Sequence, residues 1–147
     1  DAAGLPIYPG LVRYKEVVEE GVIDHALRFT VSKSQKGFIH PATHYASSST
    51  NANHAPMGLR LRMKSGYSCA SLSSEVQVIC TALKTYGMIL SDGGNIALTF
   101  SDDRLSTAKW ATLGITSQSF NTIPVTAFDV VDLGAEIPLI YDCVRNP

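Results

Sequence analysis

Apolar and polar residues follow each other along this chain with a period that changes from one stretch to the next. Over residues 11–20, Leu11, Tyr14, Val17 and Val18 fall on one face of a short helix, with Gly21 as its stop. Over 23–31 the period shortens to two. Ile23, His25, Leu27, Phe29 and Val31 share one side and Asp24, Arg28 and Thr30 the other, as in a half-buried strand. Residues 38–40 read as a short strand ended by Pro41. Residues 57–64 give the clearest strand, with Met57, Leu59, Leu61 and Met63 inward and Gly58, Arg60, Arg62 and Lys64 outward. Val76, Ile79, Cys80 and Leu83 have the spacing of a buried helical face. Ser73 suits the N-cap of that helix, Glu75 its positive first turn and Gly87 its end.

The pattern continues with a short strand over 88–90, a turn over 91–94 and a strand through Ile96, Leu98 and Phe100. Ser101, Asp102 and Asp103 open a further helix that runs through Leu105 and Ala108 towards Trp110 and Leu113. Late strands are expected over 127–131 and 137–141. Short amphipathic strands with two or three inserted helices predict an α+β, mainly β domain over residues 1–147. One solvated face per sheet favours an antiparallel β-sandwich, with a jelly-roll-like arrangement among its versions.

Composition narrows the function classes. The chain has 147 residues, enough for one domain with a real core, and 45% apolar against 17% charged residues excludes disorder. Twelve Lys and Arg against 13 Asp and Glu leave a net charge of −1, without the positive footprint of a nucleic-acid binder. No apolar run approaches the roughly 20 residues of a spanning helix. Neither nucleic acid nor membrane is therefore expected as a partner. The opening Asp1-Ala2-Ala3 lacks the layout of a signal peptide, so the chain reads as a mature piece or a fragment of something longer.

Cys69, Cys80 and Cys143 allow two readings: one disulfide with a thiol left free or paired between molecules, or three buried thiols in a reducing compartment. They lack zinc-site spacing, and no metal is expected. Asp92-Gly93-Gly94-Asn95 fits neither a P-loop nor a dinucleotide fingerprint, so no cofactor is expected either.

The most unusual stretch is a loop rich in hydroxyl and amide groups. Ser47, Ser48, Ser49, Asn51, Asn53 and His54 offer neutral donors and acceptors to a polyol, a hydroxylated mineral or another protein. Arg60 and Arg62 add a basic stripe on the neighbouring strand, suited to an anionic sugar or to a solvated face. A catalytic alternative draws on His40 and His44, with Asp92 as orienting acid or third ligand. In an extended strand, however, those two histidines stand about 13 Å apart. No Gly-x-Ser-x-Gly is present.

Several segments carry a resemblance. Gly-Leu-Pro-Ile-x-Pro-Gly-Leu-Val-Arg-Tyr-x-Glu-Val (4–17), Ile-Asp-His-Ala-Leu-Arg-Phe-Thr (23–30) and His-Pro-Ala-Thr-His-Tyr-Ala-Ser-Ser-Ser (40–49) are three of them. Pro-Met-Gly-Leu-Arg-Leu-Arg (56–62) and Ala-Leu-Lys-x-Tyr-Gly-Met-Ile (82–89) are two more. Together they resemble a family of uncharacterised secreted bacterial proteins, some with carbohydrate-related modules attached. The resemblance implies a secreted, extracellular setting and a chain that is the C-terminal half of a longer, processed precursor. It also implies a Cys69–Cys80 disulfide, because the family tends to carry apolar residues at both positions. The family's aromatic stretch after the glycine turn is replaced here by residues 96–100, and the tail with Cys143 has no counterpart. It transfers no catalytic residue.

The expected function is a non-enzymatic extracellular structural or binding domain that self-associates in an ordered assembly. Its partners would be further copies, the N-terminal half of its own precursor, or a polysaccharide or mineral surface. The alternative is a carbohydrate-binding or carbohydrate-active domain.

Overall fold

The clearest strand of the sequence is broken by one glycine, and that break sets the architecture. The computed structural model describes residues 1–95, 97–116, 119–120 and 122–140. Gly58 takes a φ of 86°, and a Cβ there would lie 2.1 Å from the Ile39 carbonyl oxygen, so only glycine fits. The stretch expected as one strand thus becomes β3 (Ala55–Met57) and β4 (Arg60–Met63), which belong to different sheets. The other strands are β1 (Leu27–Val31), β2 (Ser34–Phe38), β5 (Met88–Gly93) and β6 (Phe128–Val131).

The strands form a four-stranded sheet in the order β1-β5-β4-β6 and a two-stranded sheet of β2 and β3. The fold is mixed α and β, mainly β. The strands are not all antiparallel as expected. β4 runs antiparallel to β5 and β6, whereas β1–β5 and β2–β3 are parallel. The reason lies in the connections: β1 and β5 are far apart in sequence and joined through a helix, which permits the parallel crossover that a hairpin cannot make.

That helix, α1 (Ser74–Thr85), is the one the spacing predicted. Ser73 caps it by accepting from the Val76 amide, and Gly87 follows its end at φ 76°. Its inward face buries Val76, Ile79, Cys80 and Leu83. Full burial of a side chain such as Ile79 or Leu83 contributes about 1.5–3 kcal/mol. Leu27, Met57, Met63 and Leu90 complete the centre of the core. A disulfide joins Cys80 of α1 to Cys69, as the resemblance implied.

Five other expectations change. The helix over 11–20 shrinks to a π-helical turn, Glu16–Glu20, in which Glu16 turns inward to Arg13 and His25. The helix from Ser101 is a loop ending in a 3-10 turn, Trp110–Leu113. Side chains hold this loop: Asp103 accepts the Trp110 amide at 2.8 Å, and Ser101 O accepts the indole N–H at 2.8 Å. The turn over 91–94 gives way to strand, since β5 continues to Gly93. Leu98 and Phe100 make only isolated bridges, to Phe29 and Val12, and Ile96 lies outside the described residues. Residues 137–140 form no strand, and Tyr141 lies outside the described residues.

Candidate functional site

The parallel pair β1–β5 is irregular at one point. Phe29 pairs with Leu90 but Thr30 pairs with Asp92, so Ser91 is an extra residue on β5. A bulge of this kind re-aims a side chain and is over-represented beside functional sites. Ser91 is 1% exposed, and its hydroxyl has no hydrogen-bond partner among the described residues. Its carbonyl is taken by the Ala3 amide at 3.0 Å, which draws the opening segment across the strand pair.

Arg28 of β1 stands beside it, 8% exposed. Its Nη2 donates to Asp1 Oδ2 at 3.2 Å and to Asp92 Oδ2 at 3.4 Å, and its Nη1 donates to Thr99 Oγ1 at 3.3 Å. Its Nε is unpartnered. Asp1 is itself held in place, since Oδ1 accepts from the Ala3 and Leu5 amides. Gly10 lies against the Arg28 stem, where an added Cβ would be 3.2 Å from Arg28 Cβ. Burying a guanidinium is costly unless it is paired and hydrogen-bonded. Here three segments of chain pair it, yet one donor is left over.

Arg28 and Ser91 line a cleft of about 230 Å³ together with Asp1, His25, Pro9 and Pro41. At the rim His25 is anchored, with Nδ1 2.9 Å from Ala26 O and Nε2 3.2 Å from the buried Glu16 carboxylate. A larger cavity of about 390 Å³ is lined by Phe29 and its neighbours, but apart from Thr30 its lining side chains are apolar.

The residues singled out in the sequence are distributed differently. Asp92 is the one that the structure brings to Arg28, whose guanidinium donates to it. His40 is exposed, and His44 is half-buried with Nδ1 packed against Gly4. Among the described residues, no set of three or more His, Cys, Asp or Glu side chains could hold a metal ion.

The hydroxyl-rich loop bonds largely to itself. Ser47 Oγ accepts from Ser49 N, Ser49 Oγ from Asn51 N and Asn51 Oδ1 from Asn53 N, a ladder repeating every second residue. Ser47 Oγ also donates to Ser34 O at 2.7 Å, and Ser49 Oγ lies 2.8 Å from His54 Nδ1. Ser48 and Asn53 remain exposed.

The basic stripe has partners too. Arg60 donates to Tyr86 O and Arg62 to Lys84 O at 2.8 Å, so both arginines cap carbonyls at the C-terminal end of α1. Such carbonyls lack partners within a helix and favour cations. Cys143 lies outside the described residues.

Sequence reasoning placed Arg28 on a solvated strand face and missed it, along with Ser91. One signal was present: Arg28 is a lone cation between the apolar Leu27 and Phe29. No protein-family model, no curated protein and no solved structure matches the chain.

Proposed function

We propose that this chain is a non-enzymatic, extracytoplasmic domain that binds a hydroxylated ligand, a carbohydrate, in the cleft at Arg28. One observation carries the reading: Arg28 and Ser91 line the same cleft, and each has a buried polar atom, Nε and Oγ, without a hydrogen-bond partner among the described residues. An unsatisfied buried polar group costs about 1–3 kcal/mol, and a fold retains it where function needs it. Converging ionisable side chains in a cleft also favour the carbohydrate alternative over a flat contact surface.

Binding suits the arrangement better than catalysis. The serine–histidine hydrogen bond, Ser49 to His54, has no carboxylate on the imidazole among the described residues, so the group that orients a catalytic base is missing there. The extracytoplasmic setting is supported by the Cys69–Cys80 disulfide and by the resemblance to secreted proteins. No helix among the described residues is long and apolar enough to cross a membrane.

The test is an array of glycans and polyols probed with the wild-type protein and with Ser91→Ala. Retention on a subset of sugars that Ser91→Ala loses supports the reading. Equal retention by the two proteins contradicts it. Ordered self-association has one supporting observation of its own: β6 ends the four-stranded sheet and exposes Val130. Native mass under non-reducing conditions tests that, and a strict monomer sinks it.

A further inference from the structure

We infer that the cavity of about 390 Å³ at Phe29 binds a small uncharged molecule whose body is a hydrocarbon of about 10–15 carbon atoms. This cavity shares no lining residue with the cleft at Arg28, so the inference stands apart from carbohydrate binding there.

The first argument is enclosure. All four strands of the larger sheet contribute to the walls, together with β3, α1 and the segments around Leu98 and Phe120. Phe29, Leu83, Met88, Leu98 and Phe120 are buried where they line it. Leu59, Leu61, Ile123 and Phe128 stay half-buried although they line it too. Ala97 and Val125, also in the lining, are exposed and mark a side that faces solvent. Walls from so many elements suit a small molecule and not the face of another protein.

The second argument is chemistry. Thr30 supplies the one hydroxyl among the lining side chains, and the others are apolar. A sugar or an ion buried here would leave polar groups without hydrogen-bond partners, which is costly. Water meets the same shortage, since it needs two to four polar partners and apolar cavities stay dry. Hydrocarbon gains from contact with every wall. The rings of Phe29, Phe120 and Phe128 and the thioether of Met88 accommodate a flat or a flexible body alike.

The third is size. An apolar protein cavity of ~150 Å³ takes one benzene. The cavity here has about two and a half times that volume, which scales to roughly 15 carbon atoms as an upper bound.

The experiment loads the purified chain with N-phenyl-1-naphthylamine, an uncharged fluorophore of this size. Primary alcohols from 1-hexanol to 1-hexadecanol, naphthalene and methyl glucoside then compete with it. Wild-type protein should take up the fluorophore with saturable, enhanced emission. Alcohol affinity should rise about fourfold per added methylene, the factor for moving one CH₂ out of water. The rise should stop between about 10 and 15 carbons, where the cavity is full. Displacement by 1-decanol or by naphthalene supports the inference, and the stronger competitor assigns a chain or a fused ring. Methyl glucoside should displace nothing, and displacement by it overturns the apolar selectivity. Ala97→Phe adds a ring at an exposed position of the lining and should weaken fluorophore binding about tenfold or more, with an unchanged far-UV circular dichroism spectrum. The break in the alcohol series tests the inference on wild-type protein, whatever the variant does. Absence of saturable uptake overturns the inference. So does alcohol affinity that climbs without a break, the mark of non-specific adsorption, or equal binding by wild type and a folded Ala97→Phe.

Discussion

Replacing Ser91 with alanine should make the protein more stable, which is unusual for a change at a buried position. Ser91 is 1% exposed, and its hydroxyl has no partner among the described residues. The native state therefore carries a desolvation penalty of about 1–3 kcal/mol for this oxygen, which an alanine does not carry. The volume removed is a single oxygen on the wall of an existing cleft, so the accompanying loss of packing is small. The net expectation is a gain of about 1 kcal/mol, and a rise in Tm of about 2–4 °C for a chain of this length. Urea unfolding followed through Trp110, the single tryptophan, measures it. An unchanged m-value would show that the gain lies in stability and not in the compactness of either state. Stability gained together with sugar retention lost is the signature of a group kept for binding at the expense of the fold. A loss of 1 kcal/mol or more in Ser91→Ala would refute the reasoning, because the hydroxyl would then be satisfied in the native protein.

Three further perturbations test separate parts of the account. Arg28→Met leaves the Asp1 and Asp92 carboxylates facing each other without their shared cation and should cost about 3–5 kcal/mol in the same urea assay. The double change Cys69→Ala with Cys80→Ala opens a loop with a sequence separation of 11 and should cost about 2.5–3 kcal/mol by chain entropy, read from calorimetry. At the start of α1, backbone hydrogen bonding and the Ser74 and Ser73 hydroxyls hold the Glu75 carboxyl below its usual value. Its stabilisation is thus present above the ordinary glutamate pKa and is lost as pH falls through the lowered folded value. Glu75→Gln should be less stable than wild type at pH 7, and the difference should fade below about pH 4 in urea titrations at stepped pH.

Much of the secondary structure was legible because it rests on local pattern. The spacing from Val76 to Leu83, the Ser73 cap and Gly87 place α1 without help from the rest of the chain. The late strand β6, Phe128–Val131, follows its alternation in the same way. What the sequence hid depends on distant contacts. Gly58 sits at an outward position of a regular alternation, and only the Ile39 carbonyl beside it explains why the strand must break there. Parallel pairing of β1 with β5 joins stretches some sixty residues apart, which no local period reports.

The candidate site was less legible for the same reason. Arg28 alternates with apolar neighbours like any solvent-facing strand residue, and its burial comes from Asp1, Asp92 and Thr99 arriving from three other stretches. Ser91 looks like turn material beside Asp92-Gly93-Gly94, yet it is the bulged residue of a buried strand. The loop from Ser47 to His54 misled in the opposite direction. Its hydroxyls and amides are conspicuous in the sequence, but they serve largely as internal supports for a segment with few other backbone partners.

The most direct test watches the unpaired donor itself. The Nε–H of Arg28 gives its own signal in a nitrogen-15 correlation spectrum, as do the backbone amides of Ser91 and of residues 47–54. In a titration with neutral methyl glycosides, the Arg28 Nε–H and Ser91 signals should move together and saturate while those of 47–54 stay in place. Saturating movement confined to the 47–54 loop, with Arg28 unmoved, would contradict the assignment of the cleft as the binding site.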